Sequence, residues 1–405
     1  MSSENQLKPQ RPLRVMISAG EASGEMYGAE LLAALRELHG GPLEYFGMGG
    51  ERMREAGCEL VVNARDVAVV GLFEVLSHLP GIYRQFHKLL EEVDRRRPDV
   101  AVLVDFPDWN LRLARQLHRR GIPVVYYVSP QLWAWRKSRL KLVQRYVSEM
   151  LVIFPFEREF YAQNGVQVEF VGHPLSELEL PGVSREEFAA RWGLDPQRQW
   201  IALLPGSRRK ELSLNLPAML RATELLGTEF EFVMPVASTL DSDWVREQIA
   251  LCSSSARIKL SDDARASLHH ARVAVVASGT ATVEAALIGT PFVIVYRVAG
   301  LTWALGRHLV KLPHFGMVNL VARSEVVPEL IQKRFTAQSV EAGVRSLLED
   351  GPARQRMTAA LVEVREMLQA EPCEVPIRDR AGETAALRAG RAVLRVAESA
   401  PCERE

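Results

Sequence analysis

The sequence is poor in cysteine and has no surplus of either charge. Its four cysteines, Cys58, Cys252, Cys373 and Cys402, lie far apart and form no C-x-x-C pair, so neither a zinc site nor a disulfide framework is expected and a reducing compartment fits. The 50 Lys and Arg balance 50 Asp and Glu, so no global positive field gathers nucleic acid, and an anionic partner must be met locally. Long apolar runs are also missing. The most apolar region, Val273–Gly306, is broken by Glu284 and Arg297 and falls short of the roughly 20 uncharged residues a spanning helix needs. Met1–Arg14 is polar and lacks the apolar core of a signal peptide, so the expected location is the cytosol. There is no low-complexity tract and no repeat of roughly 20–50 residues. What is present is ordinary globular usage over 405 residues, 47% hydrophobic and 25% charged, enough for two or three domains with a core each.

Short β-branched runs alternate with helical patterns along the chain. Leu13–Ser18, Leu43–Phe46, Val100–Val104, Val124–Val128 and Met150–Ile153 are continuously apolar, as parallel strands covered on both faces must be. Helix-period stretches such as Gly24–Leu38 and Leu111–Arg120 lie between them. Pro181 and Gly182 break the rhythm, and Ser184-x-x-Glu187 then opens a new helix with a capping-box pattern. A second series follows, with strands at Trp200–Leu204, Phe230–Val233, Val273–Val276 and Phe292–Tyr296 and helices near Leu212–Leu226, Thr280–Ile288 and Ser339–Leu348. The pattern predicts an α/β protein of two Rossmann-like, doubly wound domains, 12–175 and 176–350, facing a central cleft. Residues 351–405 read as helices that dock back or are exchanged with a second copy of the chain.

Several motifs fall at predicted strand ends, the edge where ligands bind in open α/β sheets. Ala19-Gly20-Glu21-Ala22-Ser23-Gly24-Glu25 leads the first strand into a helix; a ligand loop and a tight turn with Ser23 as N-cap are both compatible with it. Leu204-Pro205-Gly206-Ser207-Arg208 combines a glycine turn, a helix N-terminus and a guanidinium, the parts of a diphosphate site, with Lys210 as a second cation. The alternative has Ser207 capping the helix and Arg208 solvated. In Ala277-Ser278-Gly279-Thr280-Ala281-Thr282-Val283-Glu284, small residues let the backbone approach a phosphate, and Glu284 sits in an apolar helical stretch where it needs a partner. That partner is either a pair of vicinal ribose hydroxyls or an arginine, Arg297 or another from the core. Asp105-Phe106-Pro107-Asp108-Trp109-Asn110 sets Asp105 at a strand terminus, a rigid location for a general base, with Asp108 positioned as a helix N-cap.

Three further segments are mixed in character. Ser129–Arg136 with Arg136, Lys137, Arg139 and Lys141 joins aromatics to a basic cluster and suits a sugar-, phosphate- or membrane-facing wall. Val69–Leu90 carries Leu72, Phe73, Leu76, Leu79, Tyr83, Phe86 and Leu90 at helical spacing, with Arg84 and Lys88 nearby; Leu301–Leu312 shows a similar mixture. Such stripes are either core or interfacial membrane contacts.

Taken in order, AGEASGE, MGGERM, DFPDWN, YYVSPQLWAWR, FPFEREFY, VGHPL, LLPGSRRKE and SGTATVEAAL resemble the lipid-A-disaccharide synthase family from Val15 to about Gln332. The resemblance implies a GT-B type fold and an inverting glycosyltransferase that uses no metal or other cofactor. Its substrates would be UDP-2,3-diacylglucosamine and 2,3-diacylglucosamine 1-phosphate, its products the β-1,6-linked disaccharide 1-phosphate and UDP. It also implies peripheral association with the inner face of the cytoplasmic membrane and a homodimer as a candidate assembly. Carried onto this chain, the base matches Asp105, the diphosphate arginine Arg208, the UDP-contacting region Ser278, Gly279, Thr280 and Glu284, and a UDP-site asparagine Asn319; Glu21, Ser23, Gly24, Gly206 and Ser207 complete the expected substrate contacts. Glu25 and Val318 stand where the family more often has Asp and Pro. Two rival functions share the scaffold: a UDP-sugar epimerase, which needs no acceptor, and a non-catalytic nucleotide-sugar-binding membrane adaptor.

Overall fold

The computed structural model describes residues 11–67, 72–134, 137–252, 257–300, 312–369 and 383–399, the side chains of 72–79 and 137 excepted. The chain divides into two compact units, the described parts of 1–174 with those of 370–405, and Leu175–Gln369.

The first unit runs β1 (Leu13–Ala19), α1 (Ala22–Leu38), β2 (Leu43–Gly49), α2 (Glu51–Glu55), β3 (Glu59–Asn63), α3 (Leu72–Arg96), β4 (Val100–Val104), α4 (Pro107–Arg119), β5 (Val124–Tyr127), α5 (Leu140–Tyr146), β6 (Glu149–Val152), α6 (Pro155–Gln163) and β7 (Glu169–Phe170). Its seven strands form one parallel sheet in the order β3-β2-β1-β4-β5-β6-β7. Strands β4 and β5 are buried along their whole length, as helices on both faces require. The order reverses between β1 and β4, and Ala19 pairs with Val104, so the two strands release their loops side by side.

The second unit opens with α7 (Arg185–Trp192), where Ser184 Oγ accepts from Glu187 N–H at 3.2 Å and the Glu187 carboxylate accepts from Ser184 N–H at 3.0 Å. It continues through β8 (Trp200–Leu204), α8 (Arg209–Leu226), β9 (Glu231–Pro235), α9 (Ser242–Leu251), β10 (Ile258–Ser261), α10 (Ala264–His270), β11 (Val273–Ala277), α11 (Thr280–Ile288), β12 (Phe292–Tyr296), α12 (Met317–Ala322), β13 (Glu329–Ile331), α13 (Ala337–Leu348) and α14 (Pro352–Leu368). The six strands are parallel, in the order β10-β9-β8-β11-β12-β13, with the reversal between β8 and β11.

The segment expected to be a separate tail is divided. Helix α14 buries Met357, Leu361, Val364 and Leu368 in the second unit. The last helix, α15 (Ala385–Ser399), lays an alanine-rich face, with Ala385, Ala389 and Ala392 fully buried, along α1 of the first. Arg388 Nε donates to the Val171 carbonyl at 2.7 Å and Arg395 pairs with Glu169 at 2.6 Å, fixing its register.

Candidate functional site

Most of the residues singled out from the sequence, Asn319 excepted, fall in the loops and helix starts at the carboxyl edges of the two sheets, beside the strand-order reversals where open α/β sheets bind ligands. In the first unit, Asp105 follows β4 directly and has φ of +45°; Phe106 follows with φ of +46°. Val128, just past β5, stands at +64°. Each such non-glycine residue costs on the order of 1–3 kcal/mol, so three at adjoining strand ends mark a strained edge. Phe106 is the N-cap of α4 and Pro107 its first residue. Asp108 is therefore not the cap expected of it: it lies in the first turn, exposed, and pairs with Arg139. Asn110 is wholly buried beneath this turn, bonded to the ends of β1 and β4 through Ser18 and Val104.

In the AGEASGE loop, Glu21 is the N-cap of α1 by backbone geometry, and Ser23 lies in the first turn, so Ser23 is not the cap. Gly24 is buried against β4, where a Cβ would make only ordinary contact with Val104 at 3.6 Å. The glycine that close packing demands is Gly20, whose Cβ would lie 2.3 Å from the Phe106 ring. Glu25 accepts from Arg52 N–H at 2.8 Å at the start of α2, which joins the AGEASGE and MGGERM segments.

Behind this edge a buried polar group stands among aromatics. The Glu157 carboxylate accepts from Phe154 N–H at 3.1 Å and Trp133 Nε1–H at 3.2 Å, and burial pushes its pKa up to about 8. His173, also buried, is pushed down to about 3 by the same desolvation.

In the second unit, Pro205-Gly206-Ser207-Arg208 leaves β8 into α8. Gly206 has φ of +125°, and a Cβ there would lie 2.7 Å from Glu211 Cβ. Asn215, fully buried in α8, donates from Nδ2 to the Pro205 carbonyl at 2.8 Å and so holds the loop from beneath. The N-cap is Arg208 and not Ser207, whose carbonyl accepts from Thr239 Oγ1 at 2.5 Å. The Arg208 guanidinium is half exposed and pairs with Glu211 at 3.2 Å. Exposed pairs of this kind are worth about 0.2–1 kcal/mol. Tyr296, at the end of β12, faces both charges; burial raises its phenol pKa, Glu211 adds to the rise and Arg208 opposes it.

Beside this loop, Ser278 follows β11 and donates from Oγ to the Phe315 carbonyl at 3.1 Å; Gly279 caps α11 with open space where a Cβ would stand, and Thr280 is exposed. Burial raises the pKa of Glu284, Arg265 opposes that rise, and Asp263 adds to it. The arginine that faces Glu284 is thus Arg265. Arg297 instead donates to the Phe335 carbonyl and stacks on its ring at 4.7 Å. Arg265 donates from Nη2 to the Glu179 carbonyl at 2.7 Å, while its Nη1 is buried with no hydrogen bond.

Asn319 differs most from its expected role. It is wholly buried, donates to the Val327 carbonyl at 2.8 Å and to Glu329 at 2.9 Å, and accepts from Val326 and Val327 N–H at 3.0 Å each. Every hydrogen-bonding position of its amide is taken, so in this structure it braces a loop and has no capacity left for a ligand. Its partner Glu329, missed in the sequence because it lies in a short edge strand, also accepts from Phe315 and Gly316 N–H at 2.9 and 2.8 Å. The loop that Ser278 touches is held from below by this carboxylate.

Among the described residues no cluster of His, Cys, Asp and Glu has metal-site geometry, and no helix is long and apolar enough to cross a membrane. Of the two amphipathic segments, 301–311 and the side chains of 72–79 lie outside the described residues. In the remainder of α3, Leu89 and Leu90 are core, Phe86 packs edge-on against Trp109 at 5.0 Å, and Tyr83 is 66% exposed beside exposed Arg84, His87 and Lys88.

Comparison with known proteins bears on the family and the fold. The profile of the family described as lipid-A-disaccharide synthetase matches residues 15–377. A lipid-A-disaccharide synthase of Koribacter versatilis is 58% identical, covering 95% of this chain and 99% of its own; that of Acidobacterium capsulatum is 53% identical over 87% and 91%. Among solved structures, a putative UDP-N-acetylglucosamine 2-epimerase from Listeria monocytogenes aligns with a TM-score of 0.60 at 13% identity, over 95% of each chain. MurG of Acinetobacter baumannii aligns with 0.57 at 14%, over 95% of this chain and all of its own. These last likenesses concern the fold, two Rossmann-like domains. The sequence matches go further, and by them the chain belongs to the lipid-A-disaccharide synthase family.

Proposed function

We propose that this protein transfers a 2,3-diacylglucosamine unit from UDP to the 6-hydroxyl of 2,3-diacylglucosamine 1-phosphate, forming the β-1,6-linked disaccharide 1-phosphate and UDP. The second unit handles the donor. Gly206, Ser207 and Arg208, with backbone N–H groups in the first turn of α8, take the diphosphate, and Ser278, Gly279 and Thr280 line the neighbouring loop. Glu284 accepts from the ribose hydroxyls, with the spare Arg265 Nη1 facing the same region. The first unit handles the acceptor, with Glu21, Ser23 and Gly24 flanking Asp105.

Asp105 takes the proton from the 6-hydroxyl as that oxygen bonds to the anomeric carbon. The bond from that carbon to the diphosphate oxygen breaks with its electron pair, and configuration inverts. Charge growing on the leaving diphosphate is met by Arg208 and backbone N–H groups already oriented before reaction, the electrostatic contribution expected to dominate. One observation carries this reading: a strand-end carboxylate stands at the order reversal of one sheet, and a glycine–arginine helix start stands at that of the other.

Both substrates carry acyl chains, so the protein works at the inner face of the cytoplasmic membrane as a peripheral enzyme, through apolar contact supplemented by basic residues such as Arg84 and Lys88. A homodimer is the candidate assembly. Purified protein incubated with both substrates should yield disaccharide and UDP by mass spectrometry. Conversion of the UDP-sugar to its epimer without acceptor would favour the epimerase, and binding without turnover the adaptor.

A further inference from the structure

An aspartate that follows a parallel strand ordinarily continues in extended or right-handed backbone, yet Asp105 and Phe106 hold φ of +45° and +46°. Such a conformation persists only where its surroundings over-determine it. Here they do so from three sides. The Asp105 carbonyl oxygen accepts two hydrogen bonds, from Asn110 Nδ2 at 2.8 Å and from Tyr126 Oη at 2.6 Å. Two donors on one carbonyl fix the plane of the Asp105–Phe106 peptide, and with it ψ of Asp105 and φ of Phe106.

Both donors are anchored. Neither Asn110 nor Tyr126 has exposed surface, and the two N–H groups of Asn110 Nδ2 are shared among the carbonyls of Asp105, Val104 at 3.1 Å and Ser18 at 3.3 Å, while its Oδ1 accepts from Ser18 Oγ at 2.7 Å. The amide thus ties the turn to the ends of both strands at the order reversal. From above, the Phe106 ring lies against Gly20, where any side chain would collide with it. Pro107 closes the third side, since a residue before proline is disfavoured in the right-handed helical region. Capping α4 alone would not require this, because Asn110 and Tyr126 grip the peptide of Asp105 and not the open N–H groups of the helix.

We propose that Asn110, Tyr126 and Gly20 are positioning residues that hold Asp105 in a left-handed turn and so aim its carboxylate at the acceptor hydroxyl. The proposal rests on Asp105 being the base. Tyr126→Phe removes one oxygen and leaves the ring, and Gly20→Ala displaces Phe106 from the opposite side of the turn. Each should lower kcat about tenfold to a hundredfold, the cost of misplacing a reacting group by a fraction of an ångström to an ångström. KM for the UDP-sugar and the affinity for UDP should stay at wild-type values, and the acidic limb of the kcat–pH profile should move.

In an Asp105→Asn background the same substitutions should cost nothing further, because they act through the carboxylate already removed. Melting curves verify folding, and should Tyr126→Phe fail to fold, Gly20→Ala decides. Wild-type kcat in the folded variants, or losses that multiply with that of Asp105→Asn, would overturn the positioning role while leaving the base intact. Full activity in Asp105→Asn alone would instead remove the base assignment.

Discussion

At the ends of β4 and β5, the centre of the first sheet, left-handed backbone falls on Asp105, Phe106 and Val128, and buried side chains hold Asp105 there; at the ends of β8 and β11, the centre of the second, the unusual turns fall on Gly206 and Gly279, and Ser207, Arg208 and Thr280 are exposed, while the non-glycine residue of positive φ at that sheet's carboxyl edge, Gln332, follows its margin strand β13. The proposed roles of the two edges account for the difference. Proton transfer needs one carboxylate oxygen within hydrogen-bond reach of one hydroxyl, so direction matters and strain is tolerated to secure it. A diphosphate accepts donors from many directions, so under the proposed function glycine turns and an exposed guanidinium suffice at the second edge.

The comparison breaks first at Asp105. Asp105→Asn should reduce kcat by roughly 10²–10⁴ with UDP binding nearly intact, whereas Asp108→Asn, removing an exposed pair with Arg139, should be almost silent. The reverse ranking would assign the base wrongly. Next is Arg208→Ala, expected to lower kcat and weaken UDP together. Losing a charged hydrogen bond of about 1.5–3 kcal/mol corresponds to roughly 10- to 150-fold. Arg208→Lys should recover only part of this, because an ammonium is a point charge and cannot form the two-pronged contact; full recovery of affinity and rate would refute that contact.

A smaller, more selective effect is expected at Glu284. Glu284→Gln should weaken UDP about tenfold, and a 2′,3′-dideoxyribose analogue much less, since the analogue lacks the hydroxyls that the carboxylate would accept from. Equal losses in calorimetric titrations of the two ligands would remove the ribose assignment and leave Glu284 as the counter-charge of Arg265.

The sequence exposed the centre of each sheet and hid its margins. Strands β1, β2, β4, β5, β6, β8, β9, β11 and β12 were legible as apolar runs, while β3, β7, β10 and β13, the four edges, were not. Edge strands such as Glu169–Phe170 and Ile258–Ser261 are short and half exposed, so no run of β-branched residues marks them. The candidate site divides in the same way. Asp105 and Arg208 could be read because they follow apolar strands directly. Asn110, Tyr126, Arg265 and Glu329 could not, because their roles depend on which carbonyl, N–H or charge the fold brings to them across the chain. The resemblance alone points to Asn319 as a UDP contact, and no sequence pattern could show that its amide is engaged by Val326, Val327 and Glu329.

The smallest expected effect concerns two of the carboxyls whose pKa values burial raises, Glu157 in the first unit and Glu284 in the second. Glu284 has the opposing charge of Arg265; Glu157 is held by neutral donors and stays protonated until about pH 8. In the unfolded chain Glu157 titrates near 4.5, so from there to pH 8 the folded state holds a proton that the unfolded state has released. Its contribution to stability is full below pH 4.5 and is lost as pH rises to 8, at up to about 1.4 kcal/mol per pH unit. His173 runs the other way: its contribution is full above 6.5 and is lost as pH falls toward 3. The two slopes oppose one another between pH 4.5 and 6.5, and Glu157 acts alone from 6.5 to 8. Glu157→Gln is neutral throughout and keeps one acceptor oxygen for either Trp133 or Phe154; beyond the fixed cost of the lost acceptor, its stability relative to wild type should therefore rise by roughly 2 kcal/mol between pH 6.5 and 8. Chemical denaturation at half-unit pH intervals measures that difference directly. A constant offset between the two proteins over this range would mean that Glu157 does not titrate there and that burial does not hold its carboxyl neutral at pH 7.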